Sequence, residues 1–427
     1  MNLGATRNQL LEILTVSQDL VNPVIAGHGK RVARYAVMIA KALGYNSERI
    51  ANLRIAAQLH DIGAFSLSVN EKSDLNQFDV LAPEKHCAVG FTLLKQYVQF
   101  NDIAEVVLHH HAFWNYGKHQ YFNGVLIPQE SYIIHLADRI DVLLKEEDDA
   151  LTRKDDIIRF IREKTGAVFN EEVSAAFQMA SLDNDFWRQG QDINISAIDS
   201  RNDDRILTEN ELLEFVKILS LTIDYKSRFT STHSSGVART AVELAKLAGI
   251  QDDTFMLLCG YMHDLGKLLV PNEILDKKGA LTPEDRVVVN SHPYYTYHIL
   301  SQSKQLRKIA EVASKHQEKL DGTGYPFNIK AAEMAMDSRV VAVADIFTAL
   351  TENRPYRENL DKGKVLDIMA EMSRENHIDN SLFTLVKENY ELLDAKRIAE
   401  QTYSRAHYET FWQNAEETIT QLQQSAA

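Results

Sequence analysis

Only two cysteines, Cys87 and Cys259, occur in 427 residues, both in apolar, helix-spaced surroundings and with no ligand-type spacing between them. A disulfide framework is therefore excluded, and a reducing cytoplasm is the expected compartment. Proline and glycine are also scarce, at 8 and 18. With little period-two alternation, this argues against a β-sandwich or barrel and predicts an all-α chain. There is no unbroken apolar run of eighteen residues, so no helix is expected to span a membrane. Arg7, Glu12 and Asp19 interrupt the apolar residues of the N-terminus, which leaves no signal-peptide core. Positive charge is in deficit: 46 Lys and Arg stand against 60 Asp and Glu, a net charge of −14. That balance disfavours long nucleic acid but is compatible with a small anion held at a metal.

What is present is ordinary for a folded globular chain, with 45% hydrophobic and 25% charged residues. The length predicts two or three domains. The most informative stretch is Tyr261-Met262-His263-Asp264-Leu265-Gly266-Lys267. It closes an apolar run in which Phe255, Leu258, Cys259 and Met262 share a helix face. A histidine, a carboxylate and a lysine at the buried end of a core helix are costly unless something fixes their charges. A metal would do so.

Read in order, residues 1–145 form a first helical domain, 146–207 a charged helical extension and connector, 208–400 a second helical domain, and 401–427 a C-terminal helix or tail. Helices are predicted over 28–43 and 47–60, with Gly44 as a cap between them. Further helices follow from Pro83 through Leu94, over 103–111 and over 133–144. In the second half they are expected over 208–223, 237–247 (capped by Gly249), up to His263, over 309–316 and over 340–350. The polar stretch after Thr410 reads as a loosely held helix.

The two halves repeat one set of metal-type residues in one order. His28, His60-Asp61, His86, His110 and Asp138 in the first correspond to His233, His263-Asp264, His292, His316 and Asp345 in the second. Both His86–His110 and His292–His316 are 24 residues apart. Each histidine lies at a predicted helix end, and each final aspartate lies within an apolar helix. A duplicated helical unit built around metal accounts for this repetition.

The pattern of a histidine, a His-Asp pair and a distant aspartate resembles the HD metal-dependent phosphohydrolase superfamily. The second half, over roughly 210–400, further resembles the HD-GYP cyclic-dinucleotide phosphodiesterases. It carries His263-Asp264-Leu265-Gly266-Lys267, Ser291-His292-Pro293, His316-Gln317-Glu318, Asp321-Gly322-Thr323-Gly324-Tyr325-Pro326 and Arg354-Pro355-Tyr356-Arg357. The resemblance implies two HD-type helical domains in tandem, the second of HD-GYP type. It further implies two divalent transition metals, Fe or Mn, in the second domain. His233, His263, Asp264 and Asp345 would hold one ion and His292, His316 and Gln317 the other, with Asp264 bridging and Lys267 countering phosphoryl charge. Gly322, Gly324, Tyr325, Pro326, Arg354 and Arg357 would meet the substrate, cyclic di-GMP or 3′,3′-cyclic GMP-AMP. A homodimer is a further expectation.

Two departures qualify the resemblance. Gln317 stands where the family has a second consecutive histidine, so the second ion should be weakly held. Phe229 stands where members with a third metal carry glutamate. The first domain keeps consecutive His110 and His111, but has Ala64 in place of the lysine and Trp114-Asn115-Tyr116-Gly117 in place of the glycine loop. It is expected to bind metal through His28, His60, Asp61, His86, His110, His111 and Asp138 without performing the same chemistry. The competing readings are a generic HD nucleotide phosphohydrolase and a binding or scaffold module disabled at Gln317. The Gly-Tyr-Pro loop disfavours the first, and the intact ligand set with Lys267 disfavours the second.

Overall fold

A computed structural model describes residues 4–21, 26–67, 71, 82–144, 150–190, 206–224, 232–277, 279–352 and 359–426. They fall into two compact units: a C-terminal unit of 205–410 with 1–13, and an N-terminal unit of 14–204 with 411–427. Helix dominates both. Among the described residues the one sheet is a two-stranded antiparallel hairpin, β1 (Tyr121–Phe122) and β2 (Val125–Leu126). The Asn123-Gly124 turn between them has both residues at positive φ, as a tight hairpin requires.

In the N-terminal unit the helix His28–Ala42 packs against Ser47–Leu59 and Gln129–Leu143, and Glu84–Lys95 packs against Asn101–Leu108. The C-terminal unit repeats the scheme. His233–Leu247 packs against Asp253–Met262 and Met336–Thr351, and His292–Leu300 against Arg307–Ala313. The central helices are apolar nearly all round, as buried helices are. Val340, Val341, Val343, Ala344 and Phe347 on the Asp345 helix are fully buried, and Val32, Ala36, Ile39 and Ala40 do the same on the His28 helix. Each such side chain contributes about 1.5–3 kcal/mol of burial for the larger types, enough to hold polar residues at the helix ends inside the fold.

The ends are defined by local chemistry. Asn46 accepts from the Arg49 N–H and Asp252 from the Phe255 N–H, the side-chain caps that start the two helices leading to the His-Asp pairs. Gly44 and Gly249 take the left-handed conformation just past the preceding helices. The stretch after Thr410 departs from expectation. It continues one helix, Tyr390–Ala426, in which Phe411 and Ala415 are fully buried. Those two residues lie four apart on one face, so a polar average conceals a narrow apolar stripe.

Candidate metal centres

In the C-terminal unit each histidine of the repeated set sits at a helix boundary. His233 opens its helix, His263 is the residue after Met262, His292 opens its helix, and His316 lies just past Ala313. This places the rings at the ends of the bundle, where backbone carbonyls are still unpaired. Those carbonyls orient the rings. His263 Nδ1 donates to Gly260 O at 2.7 Å, His292 Nδ1 to Val289 O at 2.6 Å and His316 Nδ1 to Ala313 O at 2.8 Å. A carbonyl only accepts, so each Nδ1 carries the proton and each Nε2 presents a bare lone pair.

The bare nitrogens converge on Asp264. Its Oδ1 lies 3.1 Å from His292 Nε2 and 3.7 Å from His316 Nε2, and its Oδ2 lies 3.1 Å from His263 Nε2. His292 Nε2 and His316 Nε2 face each other at 2.9 Å. On the far side His233 Nε2 lies 3.1 Å from Asp345 Oδ1, itself 3.9 Å from His263 Nε2. His263 Nε2 and Asp264 Oδ1 are buried with no hydrogen-bond partner. An unmet buried polar atom costs about 1–3 kcal/mol, and lone pairs set against one another add repulsion. A cation bound among them removes both penalties, so this donor set fits the metal that the HD pattern implies. Two triads, His233–His263–Asp345 and His263–Asp264–His316, bring their ligand atoms within 4.8 Å.

Electrostatics favours the ligand protonation states of Asp264 and His316, while, against burial, Glu352 and Asp345 raise His233 to about 10. Burial alone would raise Asp264, but His263 and the Lys267 ammonium outweigh it and hold the carboxyl well below the carboxylate range. Lys267 Nζ lies 2.5 Å from Asp264 Oδ2 and keeps 19% of its side chain exposed. Burial drives His316 down to about 3, aided by His263 and His292, which keeps the ring neutral.

Several supports lie outside the repeated motif. Glu352 accepts from His233 Nδ1 at 2.9 Å, and its other oxygen accepts from Gln401 at 3.1 Å. This is the carboxylate–histidine pairing that orients metal ligands. Its sequence signal is the seven-residue step from Asp345, which returns to the same helix face. Thr296 accepts from the Gly266 N–H and donates to His263 O, tying the His292 helix to the His-Asp turn.

Gln317 donates its amide to Asp345 Oδ2 at 3.1 Å and accepts from the Tyr325 hydroxyl at 3.1 Å. Because an ionised carboxylate only accepts, Asp345 fixes which end of the amide faces it. The structure thus turns the Gln317 oxygen toward Tyr325, whereas the sequence reading offers that oxygen to an ion. Gly324 has its own reason to be glycine, since a Cβ there would meet Lys319 N at 2.3 Å and Glu318 Cα at 2.5 Å. Gly322 sits at φ +87°. Beneath the loop, buried Glu318 accepts from Phe327 N at 2.6 Å and Ile329 N at 3.2 Å. Tyr325 thereby lines the centre and Pro326 follows it in the same loop. Arg354 and Arg357, and Phe229, lie outside the described residues.

The N-terminal unit repeats the geometry with other charges. His60 Nδ1 donates to Ala57 O at 2.7 Å and His110 Nδ1 to Val107 O at 2.6 Å. Asp61 lies 3.5 Å from His60, 3.4 Å from His86 and 3.7 Å from His110, each at Nε2. His86 Nε2 and His110 Nε2 are 3.1 Å apart, and His111 joins them with Cys87 in one cluster. On the other side His28 is bound by Asp138 at 3.2 Å and Asp141 at 2.7 Å. There Arg139 pairs with Asp138 at 2.5 Å and Arg31 with Asp141 at 2.7 Å. The corresponding C-terminal positions are Ile346 and Gly236, with Thr348 in place of Asp141.

Comparison with known proteins agrees with this duplication. HD-domain family models match residues 25–143 and 217–382. A Vibrio cholerae protein named 3′3′-cGAMP-specific phosphodiesterase 1 is 27% identical over 87% of this chain and 89% of its own length. A second Vibrio cholerae protein, named 3′3′-cGAMP-specific phosphodiesterase 3, is 38% identical over 40% of this chain and 37% of its own. A Thermotoga maritima protein named cyclic di-GMP phosphodiesterase is 35% identical over 35% of this chain and 42% of its own. The crystal structure of a cyclic GMP-AMP specific phosphodiesterase of Vibrio cholerae superposes with a TM-score of 0.61 at 21% identity, covering 92% of this chain and 98% of that one. The fold is therefore shared across nearly the full length.

Proposed function

The chain belongs to the HD-domain family, with one such domain in each unit, and on that premise we propose that it is a phosphodiesterase opening a cyclic dinucleotide to a linear 5′-phosphorylated dinucleotide. The observation that carries the reading is the set of bare imidazole and carboxylate lone pairs around Asp264, two of them buried without a partner. Residues 208–400 are taken as the catalytic domain. His233, His263, Asp264 and Asp345 would hold one divalent ion, and Asp264, His292 and His316 the second, with Fe or Mn suited to such mixed imidazole–carboxylate shells. The ions would supply a hydroxide-like nucleophile and Lewis-acid clamping of the phosphodiester.

The remaining work falls to this chain's own side chains. Lys267, partly exposed beside Asp264, stands ready to neutralise charge that grows on the phosphoryl oxygens. Asp345 is kept in place by the Gln317 amide, and Tyr325 is tied through the same amide, so the loop that would face a base or ribose moves with the ligand shell. Glu352 holds the His233 ring at a fixed angle. Cyclic di-GMP and 3′,3′-cyclic GMP-AMP are the candidate substrates. The mixed dinucleotide is favoured, because the relative that spans most of this chain carries that specificity in its name.

The test is turnover of purified, Mn- or Fe-loaded protein on both cyclic dinucleotides, with chromatographic detection of the linear product. The Asp264→Ala variant serves as the control and should lose metal and turnover together. Failure of the loaded, folded protein to open either substrate overturns the reading.

A further inference from the structure

One orienting device occurs in both units but is built from different residues. In the N-terminal unit His28 Nδ1 lies 2.7 Å from Asp141 Oδ2. Arg31, one turn further along the same helix, places Nε at 2.7 Å and Nη2 at 3.0 Å from the two Asp141 oxygens. A histidine is thus held by a carboxylate, and the carboxylate by a donor group. In the C-terminal unit Glu352 takes the place of Asp141, accepting from His233 Nδ1 at 2.9 Å. The position of Arg31 is there Gly236, which offers no donor side chain.

The donor comes from another helix. Gln401, on Tyr390–Ala426, donates from Nε2 to Glu352 Oε2 at 3.1 Å and to Thr232 O at 3.2 Å. One amide therefore grips both the carboxylate that orients His233 and the backbone just before it. Gly236 leaves the room for this approach, since a Cβ there would lie 2.6 Å from Gln401 Nε2 and 2.9 Å from its Cδ. The amide oxygen is committed as well. Arg397, one turn earlier, donates Nη1 to Gln401 Oε1 and gives Nε and Nη2 to Asp394 Oδ1 at 3.1 Å and 2.5 Å. A guanidinium carries only donors, so Arg397 decides that the nitrogen end of the amide faces Glu352. Arg397 and Gln401 are 5% and 6% exposed. Burying such groups is unfavourable unless they are paired, and an aliphatic side chain would fill the same space without that penalty.

We propose that Gln401 is a positioning residue for the ion held by His233, with Arg397 fixing the amide. By holding Glu352 and Thr232 together, Gln401 keeps the His233 Nδ1 proton on the carboxylate and Nε2 aimed at Asp345 Oδ1, 3.1 Å away. Carboxylates and carbonyls behind metal-binding histidines set ring orientation and basicity. Gln401 acts one step further out, on the carboxylate itself. This role rests on reading the C-terminal centre as a metal site and is independent of which phosphodiester that centre opens.

The experiment titrates full-length, metal-stripped protein with Mn by calorimetry. Asp345→Ala, which removes a ligand of the same ion, identifies the binding step that belongs to it. Gln401→Leu deletes the amide. Gly236→Ala removes no polar group and displaces the amide by contact alone, pushing on the far end of a side chain that can yield without unfolding the helix. Both should weaken that step by about 10–100-fold. Turnover should fall at limiting Mn and return at excess Mn, with an unaltered KM for the cyclic dinucleotide. Leu393→Ala, fully buried on the same helix, controls for packing: its thermal midpoint should drop while its Mn isotherm stays native. Native Mn affinity in both Gln401→Leu and Gly236→Ala overturns the role. So does an equal loss of affinity in Leu393→Ala, which would make the effect one of packing. Native protein that takes up no Mn overturns the metal reading itself, and this role with it.

Discussion

Replacing Gly266 with alanine is expected to disable the C-terminal centre without removing any donor atom. Gly266 sits in the short 3-10 turn after His263-Asp264, pressed against the first turn of the His292 helix. A Cβ added there would lie 1.9 Å from His292 O and 2.8 Å from Thr296 N. Real carbon–oxygen contacts begin near 3 Å, so the His292 helix would have to retreat by about 1 Å, and a displacement of that size at a reacting centre costs roughly 10²-fold in rate. The retreat would also stretch the Gly266 N–H to Thr296 hydrogen bond, now 2.9 Å, and overpacking of this kind costs about 1–3 kcal/mol of stability. The assay pairs turnover at saturating Mn with metal content and a thermal midpoint. Turnover should fall by about two orders of magnitude with weaker retention of the ion at His292. Native turnover and metal content in Gly266→Ala would refute the argument that this glycine exists for helix approach. Gly63→Ala is the internal control. Its Cβ would meet His86 O at 2.1 Å, so it should disturb metal in the N-terminal unit and spare hydrolysis.

Lys267→Ala should keep its metal and lose about 3 kcal/mol of transition-state stabilisation, roughly a 10²-fold drop in kcat. Full activity with normal metal content would remove Lys267 from the reaction. Gln317→His should raise the metal retained after dialysis against chelator and relax dependence on added Mn, since imidazole outranks an amide as a ligand. Two ions held tightly by the native C-terminal centre would show that Gln317 leaves nothing to improve. Burial lifts the Asp224 carboxyl to about 7, against the opposing Ser234 hydroxyl and His233. The unfolded chain therefore ionises first, and metal-depleted protein should lose stability as pH rises between about 4 and 7. The loss is on the order of 4 kcal/mol at 1.4 kcal/mol per pH unit, and Asp224→Asn should abolish that component. Parallel pH profiles of urea midpoints for the two proteins would contradict it.

The candidate ligand set is legible because donors that converge at the ends of helices impose local order on sequence. His263 and Asp264 are adjacent, His292 and His316 keep the same step as His86 and His110, and each aspartate is stranded in an apolar helix. What escapes is chemistry that depends on side chains meeting across elements. Gln401 reaches the Glu352 carboxylate from a helix beginning at Tyr390, and no local pattern couples it to the His233 site. The orientation of Gln317 is decided by Asp345 and Tyr325 together. Composition alone could not favour its oxygen or its nitrogen. Other features carried a readable signal: Asn123-Gly124 between short apolar pairs is a hairpin sequence.

The duplication separates what the helical scaffold demands from what a reaction demands. Both units keep the glycine after His-Asp, and in both an added Cβ would strike the carbonyl of the next ligand histidine, His86 or His292. Both keep Nδ1 protons on backbone carbonyls. These features hold the rings in place and persist whether or not anything reacts there. The units part at several polar and charged positions. Lys267 corresponds to Ala64, Ile346 to Arg139, Gly236 to Arg31, and Gln317 to His111. In the C-terminal unit the Lys267 ammonium pairs with Asp264 and keeps 19% of its side chain exposed, where an anionic substrate can compete for it. In the N-terminal unit Arg139 is locked onto Asp138 inside the fold, and Arg31 is paired with Asp141. The N-terminal unit keeps donors that could bind an ion but has Ala64 where Lys267 would meet a phosphodiester. That difference, more than any missing ligand, is the reason to assign hydrolysis to the C-terminal unit.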